Sequence, residues 1–301
     1  MKNLIRGVLA LLILALALPS QAAVRVLATT ADWGALTKEL GGDRVDVYVA
    51  TSALQDVHRV EAKPSLVARA RTADLLVANG AELEAGWLPV LLQESANARI
   101  QRGGAGFFEA TSAVALAEVP TKLDRAMGDI HPLGNPHIQL DPRNVAAVAK
   151  ALAAKLAAVD PAGADTYAAR GADFAKRWAE AMARWEAKAA ALKGAPVVIM
   201  HRDQAYLVRW LGMKELAAIE PKPGVPPSAG YLGELVTRLS ATPPKLILVN
   251  AYNDPKAAKW LSQRLHAPTV ILPFSVGGSP GAKDLFGLFD DTIDRLLGAA
   301  P

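Results

Sequence analysis

The chain has 301 residues, 51% hydrophobic and 21% charged, and carries no long polar or low-complexity tract. That excludes a mostly disordered protein and leaves room for two lobes of about 100 to 150 residues, each with a sizeable core. Lys and Arg total 33 against 29 Asp and Glu, and with Lys2 and Arg6 set aside in an acid-free N-terminal stretch the remainder carries 31 minus 29, or +2, too little for a nucleic-acid surface. Cysteine is absent, which excludes disulfides, thiolate metal sites, Cys nucleophiles and an acylated N-terminal cysteine.

Met1 to Ala22 reads as a cleavable signal peptide. Basic Lys2 and Arg6 precede the apolar run Gly7 to Leu18, and Pro19-Ser20-Gln21-Ala22 places small residues where a signal peptidase reads. A membrane-spanning helix needs about 20 apolar residues, more than this run supplies. The expectation is cleavage after Ala22 and a mature, periplasmic protein that is not membrane-anchored.

Short β-branched runs follow at Val24 to Leu27, Val45 to Val49, Leu75 to Ala78, Val197 to Met200, Leu246 to Val249 and Thr269 to Leu272. Such runs suit buried parallel strands. Between them, Asp32 to Leu40, Pro64 to Arg71, Arg143 to Ala157, Ala205 to Trp210 and Ala257 to Leu265 carry helix-spaced apolar residues. The alternation predicts an α/β fold of mainly parallel sheets flanked by crossover helices.

The middle of the chain departs from that rhythm. Asp160-Pro161 suits a helix start, and the next stop is Gly194 with Pro196 behind it. Tyr167, Phe174, Trp178, Met182, Trp185, Ala189 and Leu192 form one apolar stripe between them. One helix of about 30 residues, about 45 Å long, is expected to join an N-terminal lobe (23–160) through the connecting segment 161–194 to a C-terminal lobe (195–301).

With no cysteine, metal chemistry falls to the five histidines: His58, His131, His137, His201 and His266. His58 stands in a loop just before the helix that Pro64 opens. His137 lies in the turn-rich Gly134 to Pro142, and His201 directly follows a strand. Ligands of open α/β sheets bind beyond the carboxyl ends of the strands, where these three can converge. Three neutral imidazoles suit zinc and leave one position for a carboxylate or water. His266, near a helix C-terminus, is expected to be structural.

At these residues the sequence resembles the metal-specific solute-binding proteins of ABC transporters, the zinc and manganese cluster that includes the streptococcal adhesin-type lipoproteins. The resemblance rests on His58 with Glu61, Pro64 and Ser65; on Ala73 to Gly80 followed by Leu83-Glu84 and Trp87-Leu88; on Asn135-Pro136-His137 with Leu140-Asp141-Pro142; on His201 with Asp203, Tyr206 and Leu207; and on Glu220-Pro221 with Pro227-Ser228. It implies two lobes joined by a long backbone helix and makes His58, His137 and His201 metal ligands. The fourth ligand that the resemblance implies is an Asp or Glu of the C-terminal lobe, often an Asp after the last strand. Here that loop reads Pro273-Phe274-Ser275-Val276-Gly277-Gly278. Asp284 is the nearest carboxylate, and its competing role is that of a helix N-terminal residue; a water, Glu61 or His131 could also fill the place.

Three imidazoles favour zinc, with manganese, better served by carboxylate oxygen, less suited. The implied function is a periplasmic, monomeric zinc-binding protein that delivers its ion to an inner-membrane ABC permease. The competing readings are an exported hydrolase with a three-histidine zinc site and a metallochaperone without a transporter.

Overall fold

The computed structural model describes residues 22–121 and 131–300. The signal-peptide reading falls, except for Ala22, outside the described residues. Two four-stranded parallel sheets organise the chain. The first holds β1 (Val24–Ala28), β2 (Val45–Val49), β3 (Leu75–Ala78) and β4 (Phe107–Glu109) in the order β2-β1-β3-β4. The second holds β5 (Pro196–Ile199), β6 (Lys214–Ala218), β7 (Leu246–Asn250) and β8 (Thr269–Leu272) in the equivalent order β6-β5-β7-β8. All six strand pairings are parallel.

The strands that the sequence located are the β-branched ones. Central β3 and β7 are buried at every position, as a two-sided parallel sheet requires. The two strands without a sequence signal, β4 and β6, are edge strands: β4 has three residues, and β6 is the Ala- and charge-containing KELAA.

The helices flanking the first sheet are α1 (Ala31–Gly41), α2 (Pro64–Thr72), α3 (Leu88–Ser95) and α4 (Pro142–Val159). The long helix α5 runs Ala164–Lys188 for 25 residues, and 3-10 turns extend it at both ends, Pro161–Gly163 and Ala189–Leu192. Then come α6 (Ala205–Trp210), α7 (Ala229–Leu239), α8 (Lys256–Leu265) and α9 (Leu285–Ala299). Among the described residues, no helix is long and apolar enough to cross a membrane.

The predicted stripe of α5 is the buried one: Tyr167, Phe174, Trp178 and Trp185 are all at most 1% exposed. Phe174 stacks on Trp178, and the Trp178 and Trp185 rings meet edge to face at 5.0 Å. Phe286 and Phe289 of the C-terminal helix α9 complete the cluster against Trp178. The helix that joins the two sheets is therefore the common wall of their cores, and one hydrophobic cluster runs from Val26 and Val77 to Leu248 and Leu272. Buried Trp residues are among the costliest to truncate, at about 3–5 kcal/mol each, so this spine resists bending.

A second link joins the lobes through a buried acid. Asp32, in the first turn of α1, accepts from the Ser275 hydroxyl at 2.8 Å and from the Val276 backbone N–H at 3.0 Å, both in the loop after β8. Burial pushes its pKa up from 3.8 to about 6, against these hydrogen bonds, which favour the carboxylate. A raised acid pKa means that the folded chain holds the proton more tightly than the unfolded one. The contribution of Asp32 to stability is thus fully present below about pH 4 and is lost as pH rises through about 6. Asp32→Asn keeps an acceptor for Val276 and gains a donor for Ser275 without the buried charge. Urea unfolding at pH 7.5 is expected to show the variant more stable by about 1–3 kcal/mol, with the difference closing near pH 4. A difference independent of pH would remove the buried charge as its cause.

Candidate metal centre

The carboxyl ends of both sheets face one cleft, and three loops bring histidines into it. His58 sits in the loop between β2 and α2. Its backbone N–H and its Nδ1 both meet Asp56 Oδ1, at 3.0 and 2.8 Å. The indole of buried Trp87 donates to the Val57 carbonyl at 2.9 Å and ties this loop to the first lobe.

His131 and His137 share the loop before α4. Gly134, at φ +115°, makes the turn between them, where its N–H donates to the His131 carbonyl. The Asn79 amide donates to the Pro136 carbonyl at 2.9 Å and is itself held by the Trp33 indole, which fixes the backbone just ahead of His137. His201 follows β5 and opens the turn Arg202–Gln204. Its Nδ1 lies 2.6 Å from Glu220 Oε2, and Glu220 is pinned by its N–H to the Met200 carbonyl and by the Gly224 N–H on the same carboxylate oxygen.

Four imidazoles therefore meet. Ring centroids lie 5.2 Å apart for His58 and His131, 5.4 Å for His58 and His137, 5.9 Å for His131 and His137, 5.9 Å for His137 and His201, and 6.4 Å for His58 and His201. His58, His131 and His137 each offer a nitrogen within 4.8 Å of the others. The Nε2 atoms of His58 and His131 are 3.2 Å apart. A tetrahedral ion with metal–nitrogen bonds of about 2.0–2.1 Å needs donors about 3.3 Å apart, so this pair already spans one edge of such a site.

His137 is 2% exposed, yet neither ring nitrogen has a hydrogen-bond partner. A buried imidazole with both nitrogens unpaired costs about 1–3 kcal/mol per group, a penalty that an ion on one nitrogen relieves. Burial first, then the neighbouring His58, His201 and His131, hold its pKa well below the ordinary value. Burial and the charges of His58 and His201 take His131 down to about 4. Both rings are neutral at physiological pH and keep a lone pair to give. His201 goes the other way: burial opposes its charge, but Asp203, Glu220 and Asp56 outweigh burial and push it up to about 9.

The carboxylates behind the rings do two things. Asp56 and Glu220 each bind an Nδ1, which turns the Nε2 of His58 and of His201 inward, and their negative charge offsets a dication. Asp203 is fully buried and takes hydrogen bonds from the Tyr252 hydroxyl (2.6 Å) and the Asn250 amide on Oδ2, while its Oδ1 has no partner. A cavity of about 470 Å³ opens onto His131, His137 and His201, with Arg202 and Lys222 in its wall.

The structure brings together His58, His137 and His201 and adds His131 to them. It does not bring Asp284 there. Asp284 is exposed and caps α9, its Oδ1 accepting from the Gly287 N–H at 2.8 Å. The glycine-rich loop ahead of it is folded on itself by Gly277 to Ala282, Gly278 to Ser275 and Ala282 to Ser279 hydrogen bonds, and so it carries no carboxylate back to the cleft. The position after the last strand is filled by Phe274, whose ring lies 5.7 Å from His137 and 5.1 Å from Tyr252 as an apolar wall. Glu61 is exposed and outside the group, and His266 ends α8 in a left-handed conformation. Glu220 had no local sequence signal as a partner of His201, because it lies 19 residues on, beyond a strand that the pattern did not reveal.

Residues 26–299 match the sequence model of the family described as zinc-uptake complex component A, periplasmic. The chain belongs to this family. It is 23% identical over 252 residues, 82% of this chain and 77% of the relative, to the high-affinity zinc uptake system protein ZnuA of Bacillus subtilis (strain 168). A manganese ABC transporter substrate-binding lipoprotein, PsaA of Streptococcus mitis, is 27% identical over 147 residues, and this chain spans 44% of its length. Among solved structures, a crystal structure of ZnuA superimposes with a TM-score of 0.76 at 20% identity, over 93% of this chain and all of that one. A manganese-bound periplasmic metal-binding protein from Candidatus Liberibacter asiaticus gives 0.73 at 18% identity, over 91% of this chain and 98% of that one. The likeness to these structures establishes the two-lobed α/β fold.

Glu220→Gln keeps the size of the side chain and removes the charge behind His201. Metal affinity is expected to fall by about 10–100-fold, read by competition with a chromophoric chelator. An affinity within twofold of the parent would show that His201 needs no carboxylate behind it.

Proposed function

We propose that this family member binds one zinc ion between its lobes through His58, His131, His137 and His201 and delivers it to an ABC-type inner-membrane permease. The observation that supports this best is His137, buried with both nitrogens unpaired among three other imidazoles. In this reading His131 takes the fourth place and Asp284 keeps its helix cap. Four nitrogen donors without a carboxylate suit zinc and serve manganese poorly. The protein acts as a carrier with no turnover of its own, since a fourth imidazole occupies the position that a zinc hydrolase leaves to water. The leader directs export, and the mature chain works in the periplasm, where it meets the permease.

Purified mature protein, stripped of metal and titrated with zinc and manganese, is expected to take one tight zinc equivalent and to bind manganese far more weakly. His58→Ala, His137→Ala and His201→Ala are each expected to weaken zinc by about 100-fold or more, and His131→Ala by about 10-fold or more. Asp284→Ala is expected to stay within twofold. A larger loss from Asp284→Ala than from His131→Ala would return the fourth place to the carboxylate.

Mass spectrometry of the exported protein is expected to find Ala23 as its first residue. A retained leader would overturn the periplasmic assignment.

A further inference from the structure

Of the four imidazoles, His201 is the one supplied by the second sheet, and it stands furthest from the rest. His58, His131 and His137 are already within donor reach of one another, whereas the His201 ring lies 5.9 Å from His137 and 6.4 Å from His58. Something must fix the distance across the cleft.

We infer that the side chain of Asn135 sets the span between His137 and His201, and that it is a positioning residue for metal binding. This rests on the zinc-site reading above. Asn135 is 7% exposed. Its Oδ1 accepts from the His137 backbone N–H at 3.0 Å. Its Nδ2 donates across the cleft to the carbonyl of Arg202, the residue after His201, at 2.8 Å, and also to Glu118 Oε2 at 2.9 Å. One rigid amide therefore links the backbone of one ligand to the backbone beside the other.

The surroundings hold that amide in a single orientation. The Asn135 carbonyl accepts from the Tyr206 hydroxyl of α6 at 2.8 Å, and that hydroxyl in turn accepts from the Ala117 N–H at 2.9 Å. The Asn135 N–H donates to the Ala117 carbonyl, and Glu118 is paired with Arg202. Only an amide donates to both the Glu118 carboxylate and the Arg202 carbonyl and still accepts from His137. Aspartate is nearly the same shape but donates to neither and would face the Glu118 carboxylate with a like charge.

A clasp that merely held the lobes together would weaken metal binding alike whichever ligands were present. A residue that acts through His201 loses its effect once His201 is gone. The test is a double-mutant cycle with zinc affinity measured by competition from nanomolar to millimolar. Asn135→Asp is expected to lower affinity about 10-fold or more in the parent and in a His58→Ala background, and by less than about twofold in a His201→Ala background. Zinc K-edge absorption of the loaded parent and Asn135→Asp proteins gives a reading independent of residual affinity, with one fewer imidazole expected in the variant. Should the aspartate variant fail to fold by circular dichroism, Asn135→Ala repeats the series; it also frees the His137 N–H, so its loss in the His201→Ala background is expected to be smaller than in the parent without vanishing. Equal losses in all three backgrounds, or an unchanged imidazole count, would overturn the inference while leaving the zinc site in place. A parent protein that takes up no zinc would instead remove the site reading itself.

Discussion

Imidazoles packed 5 to 7 Å apart under low exposure cannot satisfy themselves. Each added proton repels the others, and burial removes the water that would otherwise pair with the ring nitrogens. His137 carries this constraint in its strongest form, with two buried nitrogens and no partner for either. The rest of the site answers it by placing negative charge behind the rings: Asp56 on His58, Glu220 on His201, and Asp203 buried beside Tyr252. What is left at the centre is the lone pairs of His131 and His137, held neutral, beside His201, whose proton an incoming cation displaces while the carboxylates behind the rings stay in place. That is the electrostatic description of a cation site, and it explains why three residues of the set depart from ordinary histidine behaviour, two downward and one upward.

Building such a set from segments far apart in sequence requires rigid anchors, and the anchors are neutral donors rooted in the cores. Trp87 holds the His58 loop through Val57, and Trp33 acts through Asn79 on Pro136. Indoles suit this use because their rings are locked by packing while the single N–H points outward to a loop carbonyl. The glutamate that follows in the same turn is used locally: Glu84, fully buried, takes the Thr29 hydroxyl and the N–H groups of Asn79 and Gly80, which stabilises the left-handed pair Ala81 and Glu82. The Leu83-Glu84 and Trp87 pattern, legible as one motif in the sequence, thus has a structural half and a site-positioning half.

The sequence revealed what local chemistry encodes. Runs of branched apolar residues mark strands even at a sheet edge, as in β2 and β8, so the six that carry this signal were legible, whereas the three-residue β4 and the KELAA strand β6 carry none and were not. The long helix was legible because a stripe of large aromatics from Tyr167 to Trp185, about five turns, has no other use. His58, His137 and His201 stood out because each follows a strand or opens a helix, where an α/β fold builds its ligand sites. The fourth position was illegible for a physical reason. Whether Asp284 returns to the cleft depends on how a glycine-rich loop closes, and the Gly277 to Ala282 hydrogen bond and the need of α9 for a cap decide that from outside the segment. His131 was one of the alternatives open for that position, but no local pattern singled it out, because its nearness to His58, 73 positions earlier, comes from the fold and the turn at Gly134.

The same geometry limits how the ion reaches its place. The aromatic spine of α5 is shared by both cores, Asp32 is hydrogen-bonded to the loop after β8, and Tyr206 bridges Ala117 and Asn135 across the cleft. Opening the lobes as a hinge would break all three at once and expose the Trp178 cluster, a cost of several kcal/mol before any metal–ligand bond is counted. Motion confined to the loop that carries His58 disturbs none of them. The cavity of about 470 Å³ lies on the side of His131, His137 and His201 and leaves His58 behind. An ion crossing it meets His131, which is only partly buried, before His137, which is almost wholly so. In the proposed ligand set, a partly buried ring on the cavity side is then the first to bind and the first to let go, and His137, the ring with no other partner, sets how firmly the ion is kept.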